Sequence, residues 1–200
     1  MRVLRSPSTA RSTTRKRSTH TLARTAADAE TLPEAAHALA AEIADRTGET
    51  TAIGALAGMF VIFLDVIEST QSVRYFAQVG DRVPVYASSV GRAILAQLSA
   101  DERRAIYRKI KFEGFSPTTP MSAEIIENEL REAQERGFHQ SSSEYIPDLA
   151  GVSLSLPIGP RQLSIVVAGP TSRCLERRPI TAAIMKEVIL HYQPSRKINL

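Results

Sequence analysis

The 200-residue chain has a single cysteine, Cys174, and no long run of apolar residues. One cysteine excludes an internal disulfide and a zinc site built from several cysteines of one chain, and it fits a reducing, cytoplasmic location. No stretch approaches the roughly eighteen uninterrupted apolar residues of a membrane-spanning helix. The longest apolar run, residues 59–64, has the length of a strand. We therefore expect a cytoplasmic protein with no membrane partner.

Motifs of common catalytic and cofactor sites are also missing from the sequence. It contains no G-x-S-x-G, no H-E-x-x-H, no C-x-x-C and no Gly-rich phosphate loop. Cys174 has no histidine close by in the sequence that could activate it as a nucleophile. These absences predict a protein that is not an enzyme and that needs neither a metal nor a cofactor.

Charge is distributed unevenly along the chain, although the formal total is only +4. Residues 1–24 hold seven basic residues and no acidic one, whereas the other 176 residues carry 18 basic and 21 acidic groups. The body of the chain is therefore slightly acidic, which makes it a poor candidate for binding nucleic acid by itself.

The N-terminal stretch is rich in Ser, Thr and Arg, and it has too few apolar residues to build a core. We interpret residues 1–30 as a disordered tail or linker. Three hypotheses stay open for it: a basic arm that contacts phosphates, an organelle transit peptide, or a solvated tail left by a displaced start. With 43% hydrophobic residues overall, the remaining residues 31–200 are enough for one globular domain.

Hydrophobic periodicity and turn residues predict an α+β order of elements. A helix that ends at Gly48 precedes three strands and three helices, and then three more strands and a last helix. The predicted strands are 51–56, 60–67, 73–79, 138–144, 152–158 and 163–168, and the helices start near residues 33, 88, 99, 122 and 181. This order predicts a mostly antiparallel six-stranded sheet with helices packed on it.

Residues 79–98, VGDRVPVYASSVGRAILAQL, are the most informative stretch of the sequence. A turn of small residues leads there into an amphipathic helix. A helix that begins with Ser88, Ser89 and Gly91 directs unpaired backbone N–H groups into a space with little side-chain bulk, which suits a small anion such as a carboxylate. A plain serine N-cap explains the same residues, and both interpretations stay open.

This block resembles the signature of the effector-binding domain of IclR-type transcriptional regulators. The matching residues are Val79, Gly80, Arg82, Pro84, Ala87, Gly91, Ala93, Leu95 and Ala96, while Arg92 stands where Lys is usual and Tyr86 where His is common. Four further matches resemble the family in the same order, at residues 39–50, at 61–69, at 136–138 together with 151–158, and at 168–170. Agreement in order and spacing over residues 32–193 identifies the chain as an IclR-type effector-binding domain.

The resemblance implies a GAF-like α+β sandwich for residues 31–200. It also implies a function, the sensing of a small molecule on behalf of transcription control. Family members self-associate through this domain, so a homodimer or homotetramer is expected. Contact with DNA is expected only through a winged helix-turn-helix, for which this chain has no room.

The family also implies where an effector binds: between the start of the signature helix, the loop before the fifth strand, and the inner faces of the last strands. The corresponding residues of this chain are Ser88, Ser89, Val90, Gly91, Ser141, Gly151, Val166 and Ala168. Relatives that bind small oxo-acids carry an acid, a cysteine and two serines at the last four positions. Their replacement here disfavours a glyoxylate- or pyruvate-like ligand and favours a larger, partly apolar carboxylate such as an aromatic acid. The alternative is that Val166 and Ala168 are only sheet core.

Two further functions stay open from the sequence. The chain could be a stand-alone small-molecule-binding protein, or a small enzyme that uses Ser88, Ser89 or Ser141, although no His or acid is spaced to activate these serines locally. Arg74 and Tyr75 lie near the signature and could steer an anion into the site. A solvated strand face explains Arg74 as well.

Overall fold

The computed structural model of the protein describes residue 32, residues 34–158 and residues 161–192. The hypotheses about the basic tail concern residues 1–30, which lie outside these described residues. Within them the chain forms the helices α1 (Glu34–Thr47), α2 (Ser89–Leu95), α3 (Ala100–Tyr107), α4 (Ala123–Arg136), α5 (Thr171–Cys174) and α6 (Arg178–Tyr192). The strands are β1 (Thr50–Ala57), β2 (Phe60–Ile67), β3 (Arg82–Pro84), β4 (His139–Ser142), β5 (Leu149–Leu156) and β6 (Leu163–Pro170).

The six strands form one sheet in the order β3-β2-β1-β6-β5-β4, and every neighbouring pair is antiparallel. Helices α1 and α6 pack on one face of this sheet, whereas α2 packs on the other face against the central strands. The predicted α+β fold with an antiparallel six-stranded sheet and packed helices is therefore confirmed.

Strand β6 shows how the two faces of the sheet are separated. Successive side chains of a strand point to opposite faces. Ile165 and Val167 accordingly belong to the core under α1 and α6, whereas Val166 and Ala168 belong to the core that includes α2. The alternation thus places Val166 and Ala168 on the side of the sheet where α2 begins.

Helix ends follow the residues that predicted them. The Ser99 side chain accepts a hydrogen bond from the Glu102 backbone N–H while the Glu102 carboxylate accepts one from the Ser99 N–H, which is a capping box at the start of α3. Ser122 caps α4 through the Ile125 N–H, and the helix ends at Gly137 with a φ of 81°.

The predicted strand at 73–79 is wrong, because β3 lies further along the chain. Val73 and Phe76 are 68% and 61% exposed, so their apolar side chains have no core to face. The segment ends instead in a turn at Gly80, whose φ is 95° and whose N–H donates to the β2 backbone. The chain thus meets the edge of β2 at this turn and pairs with it as a strand from Arg82.

Strand β5 begins earlier than the predicted range of 152–158. Ala150 and Gly151 have low β propensity, so no strand is predicted at these residues. Both residues nevertheless pair with β4, opposite Ser142 and Ser141 respectively. This earlier start makes Gly151 part of the sheet rather than of the preceding loop.

Candidate functional site

A small cavity lies under the start of α2, between that helix, the β4–β5 loop and the inner faces of β5 and β6. Its volume is about 40 Å³, room for roughly three water molecules. Seven of the eight predicted site residues line it, all except Gly91. The lining comprises Phe63, Tyr75, Val83, Ala87, Ser88, Ser89, Val90, Ser141, Glu144, Tyr145, Ile146, Leu149, Gly151, Val166 and Ala168.

Ser88 is the N-cap of α2, as the plainer of the two sequence interpretations predicts. Its hydroxyl accepts a hydrogen bond from the Gly91 N–H at 3.2 Å and donates one to the Pro84 carbonyl at 2.8 Å. The backbone N–H groups of Ser89 and Val90 have no hydrogen-bond acceptor among the residues that the structure describes. The cap therefore satisfies one donor of the first turn and leaves two beside the cavity.

Gly151 forms the floor of the cavity and makes it possible by lacking a side chain. It pairs with Ser141 on β4 and with Ala168 on β6. A Cβ at Gly151 would lie 2.7 Å from the Ser89 hydroxyl oxygen and 2.9 Å from that of Ser141. The Ser89 hydroxyl in turn lies 2.8 Å from the buried Ser153 hydroxyl. The sheet register thus brings together side chains far apart in the sequence.

The structure does not place Gly91 on the cavity. A Cβ at Gly91 would lie 2.1 Å from the carbonyl oxygen of Val85 and 2.5 Å from its Cα. No real Cβ makes such contacts with backbone, so this glycine allows α2 to pack directly on the strand-like segment before it. The sequence signature therefore contains one residue that packs the helix and several that line the cavity.

Aromatic side chains supply part of the cavity wall. Tyr75 contributes a phenol, and burial, with smaller effects from Asp81 and Tyr145, raises the pKa of this phenol to about 12. It therefore stays protonated at neutral pH and can donate a hydrogen bond. Arg74 lies elsewhere: its guanidinium contacts Glu68 at 2.6 Å on the surface, in agreement with the solvated interpretation.

Sequence reasoning missed the charged pair at the cavity. Glu144 lines it, and the carboxylate of Glu144 accepts two hydrogen bonds, at 2.6 and 2.9 Å, from the guanidinium of Arg92. Arg92 is only 1% exposed although it lies on a helix of small and apolar residues. An arginine in such a helix is a weak signal of a buried ion pair, but nothing local indicated a partner 52 positions away.

No activated serine is formed among the described residues. The Ser88 hydroxyl donates to the backbone of Pro84, and the Ser89 hydroxyl is paired with another serine. His139 lies on the neighbouring strand opposite Ser153, yet its imidazole has no hydrogen bond to any serine that the structure describes. Burial, together with the charges of nearby arginines, lowers the pKa of His139 to about 4.

The lone Cys174 lies on the other face of the sheet, against Glu49. Burial and this carboxylate raise the pKa of the thiol to about 12, so the nucleophilic thiolate is disfavoured. The described part of the chain holds no cluster of His, Cys, Asp and Glu able to bind a metal ion. Among the helices described, none is long and apolar enough to cross a membrane.

A wider groove of about 690 Å³ lies between α4, α6 and the end of β5. It is more open than the cavity and contains none of the predicted site residues. Its charged side chains include Arg103 and Glu127, which are paired with each other at 2.7 Å. We assign the candidate site to the smaller cavity because donors, hydroxyls and apolar walls converge there.

The antiparallel sheet with helices on both faces and a cavity of mixed polar and apolar lining has the architecture of a small-molecule-binding domain. The comparison with known families agrees. The family "Bacterial transcriptional regulator IclR C-terminal" matches residues 24–191. The chain belongs to the IclR family of bacterial transcriptional regulators and contains its C-terminal effector domain.

Relatives with names include two regulators of Escherichia coli. The chain is 30% identical to the HTH-type transcriptional regulator XynR over 103 residues, which is 52% of this chain and 41% of XynR. It is 28% identical to the HTH-type transcriptional repressor AllR over 134 residues, 66% of this chain and 49% of AllR. The chain thus spans less than half the length of these two relatives.

Solved structures share the fold at low sequence identity. The Thermotoga maritima IclR matches with a TM-score of 0.73 and 21% identity, covering 80% of this chain and 66% of that one. The inducer-binding domain of a PobR double mutant from Acinetobacter, in complex with 3-hydroxybenzoic acid, has a TM-score of 0.71 at 15% identity, covering 82% and 98%. An IclR homologue from Microbacterium hydrocarbonoxydans, in complex with 4-hydroxybenzoate, has a TM-score of 0.69 at 22% identity, covering 80% and 65%.

Proposed function

We propose that this domain senses an organic acid, with an aromatic carboxylic acid as the favoured class, and that binding controls transcription through the rest of the regulator. The observation that carries the proposal is the convergence of the predicted site residues on one cavity. Two unpaired backbone N–H groups, the Ser141 hydroxyl and the Tyr75 phenol lie there beside apolar walls. Donors at one end and apolar surface at the other suit a carboxylate on a ring.

The carboxylate would bind at the start of α2, where the N–H groups of Ser89 and Val90 are free to donate. The ring would then lie against Val166 and Ala168, with Phe63 and Tyr145 completing the apolar contact. Neither Val166 nor Ala168 can hydrogen-bond a second carboxyl or keto oxygen, which is why a small oxo-acid is disfavoured. Two structural neighbours were solved with hydroxybenzoates, which supports the same ligand class for this chain.

The small volume of the cavity supports a sensing role. Ligand sites usually enclose about 300–1,000 Å³, whereas this cavity has a volume of about 40 Å³. A ring-sized acid needs more room than this, so we expect a wall to move on binding and the bound and free states to differ in structure. A ligand that favours one of two such states shifts the population between them, and that shift is what a regulator transmits.

The partners of the domain follow from the same proposal. We propose that the domain forms a homodimer or homotetramer and that the conformational shift reaches DNA through a helix-turn-helix region outside this chain. The slightly acidic body of the chain argues against direct DNA binding. Residues of the described domain are proposed to have no catalytic role, because no base lies within hydrogen-bond reach of a cavity serine.

A thermal-shift screen of carboxylic acids against the purified chain tests the ligand class. We expect 4-hydroxybenzoate and related aromatic acids to raise the Tm, because a ligand at about a hundred times its Kd adds about 2.7 kcal/mol to the stability of the folded state. Ala168→Leu fills the cavity and should abolish the shift. Ala55→Leu, the same enlargement in the core on the opposite face of the sheet, is the matched control and should keep it.

Stabilisation by glyoxylate or pyruvate without any effect of aromatic acids would contradict this interpretation of Val166 and Ala168. The state of the ligand separates the sensor from the alternative of a serine-dependent enzyme. A sensor returns the acid unchanged after prolonged incubation, whereas an enzyme converts it. Conversion that Ser141→Ala abolishes would favour the enzyme.

A further inference from the structure

Glu144, at the wall of the cavity, forms a buried ion pair with Arg92. Glu144 lines the cavity from the β4–β5 loop, and its side chain is 14% exposed. The Arg92 guanidinium contacts both carboxylate oxygens of Glu144 but does not line the cavity itself. Arg92 therefore acts on a bound ligand without touching it, and Glu144 is the charged group between them.

The geometry of Arg92 is fixed by groups other than Glu144. One terminal nitrogen donates to the Tyr86 carbonyl at 3.1 Å, and the other donates to the Gln140 carbonyl on β4. The Thr119 hydroxyl donates a hydrogen bond to the backbone carbonyl of Glu144. The pair is thus preorganised by the turn before α2, the edge strand and a neighbouring loop, without help from a ligand.

A carboxylate at a cavity wall decides which ligands can enter. In a poorly solvated site, two like charges a few ångströms apart repel each other far more strongly than they would in water. An unpaired Glu144 would therefore exclude an organic acid. A guanidinium paired with both carboxylate oxygens cancels this field and leaves the wall close to neutral.

We propose that Arg92 is the residue that makes this cavity permissive for an anionic ligand, because it neutralises Glu144 at the cavity wall. It is a positioning and specificity-determining residue, not a direct ligand contact. This inference rests on the proposed function, in which the cavity binds an organic acid.

The test compares an acid with its neutral amide, 4-hydroxybenzoate and 4-hydroxybenzamide, by calorimetric titration of the whole chain. Glu144→Gln removes the negative charge and keeps the side-chain shape, so the acid should bind about fivefold to tenfold tighter while the amide stays within about threefold. Arg92→Met leaves Glu144 unpaired and should weaken the acid more than about tenfold and the amide much less. The double variant Arg92→Met/Glu144→Gln should return the acid to within about threefold of the original affinity.

Two controls make the result specific. Glu127→Gln disrupts a comparable Arg–Glu pair outside the cavity and should change neither ligand. Arg92→Lys keeps the positive charge and should retain most of the preference for the acid. If Arg92→Met does not fold, as judged by circular dichroism, Glu144→Gln and the double variant still decide the question.

Each outcome separates this inference from the function on which it rests. An original chain that binds neither ligand overturns the proposed function. An original chain that binds both ligands, with variants that shift acid and amide equally, overturns only the role of Arg92. Binding of the amide and not of the acid overturns both.

Discussion

Gly91 offers the sharpest test of how the helix start is built. In Gly91→Ala the new Cβ would meet three backbone atoms of Val85, at 2.1, 2.5 and 2.6 Å. Backbone cannot rotate out of the way as a side chain can, so α2 or the preceding segment must move. Val90 and Ile94 of α2 are 2% and 0% exposed, and such a displacement would loosen their packing.

The expected loss of stability follows from these contacts. Overpacking a core costs about 1–3 kcal/mol and sometimes more, and a clash with backbone belongs at the upper end. Alanine returns about 1 kcal/mol through its better helix propensity. We expect a net destabilisation of about 2 kcal/mol or more, which corresponds to a Tm lower by at least about 4–8 °C for a domain of this size.

Urea unfolding followed by circular dichroism measures this loss. Gly114→Ala is the matched control, because a Cβ at Gly114 would find its nearest neighbour, the Met121 sulfur, at 3.7 Å. We expect that control to stay within about 0.5 kcal/mol of the original chain. A Gly91→Ala variant as stable as the control would show that the close packing of α2 on Val85 is not what this glycine provides.

Three further residues, Gly151, His139 and Cys174, each give a testable prediction. Gly151→Ala should fill the cavity floor beside Ser89 and lower the affinity for aromatic acids at least about tenfold at a stability cost of only about 1–2 kcal/mol; unchanged affinity by calorimetry would count against this cavity as the site. The pKa of His139 is lowered from 6.5 to about 4 in the folded chain. Between pH 6.5 and pH 4 the folded chain therefore binds fewer protons than the unfolded chain. The free energy of unfolding should fall by up to about 3 kcal/mol as the pH drops through this range. Urea unfolding at pH 7 and pH 4.5 should show that His139→Asn loses less stability between these two pH values than the original chain. Equal losses would refute the assignment of this pH dependence to His139. The pKa of the Cys174 thiol is raised to about 12 in the folded chain. We therefore expect this thiol to react with a disulfide reagent at pH 8 at least about tenfold more slowly in the folded chain than after unfolding. A reactive surface thiol would not show this difference.

The sequence predicted those parts of the fold that depend on local patterns. Capping residues such as Ser99 and Ser122 fix helix starts through bonds to their own next turn, so they can be recognised without the rest of the fold. The strand predicted at 73–79 failed for the opposite reason. A β-like composition does not make a strand unless a sheet edge is available. Residues 73–79 have no such edge, and the chain pairs with β2 only from Arg82, after the turn at Gly80.

The site was predictable only in part. Resemblance to a family supplied positions, and the sheet register then brings Ser141, Gly151 and Ala168 side by side. Glu144 and Tyr145 were missed because a loop residue gives no periodic signal of which way it faces. The pairing of Arg92 with Glu144 depends on the path of the intervening chain, which no local pattern contains.

The walls of the cavity differ in the contacts that hold them, and the least restrained wall should move when a ligand binds. The floor belongs to strands that pair on both sides, and α2 is seated on Val85 through Gly91, so neither can yield cheaply. The β4–β5 loop is held by isolated hydrogen bonds, among them one from the Thr119 hydroxyl to the Glu144 carbonyl and one from the Thr171 N–H to the Asp148 carbonyl. It also contains Ser143 with a φ of 55°, a conformation that non-glycine residues rarely adopt. We therefore expect entry of an acid to displace Tyr145 and Ile146 of this loop first, while the Glu144 carboxylate stays paired with Arg92.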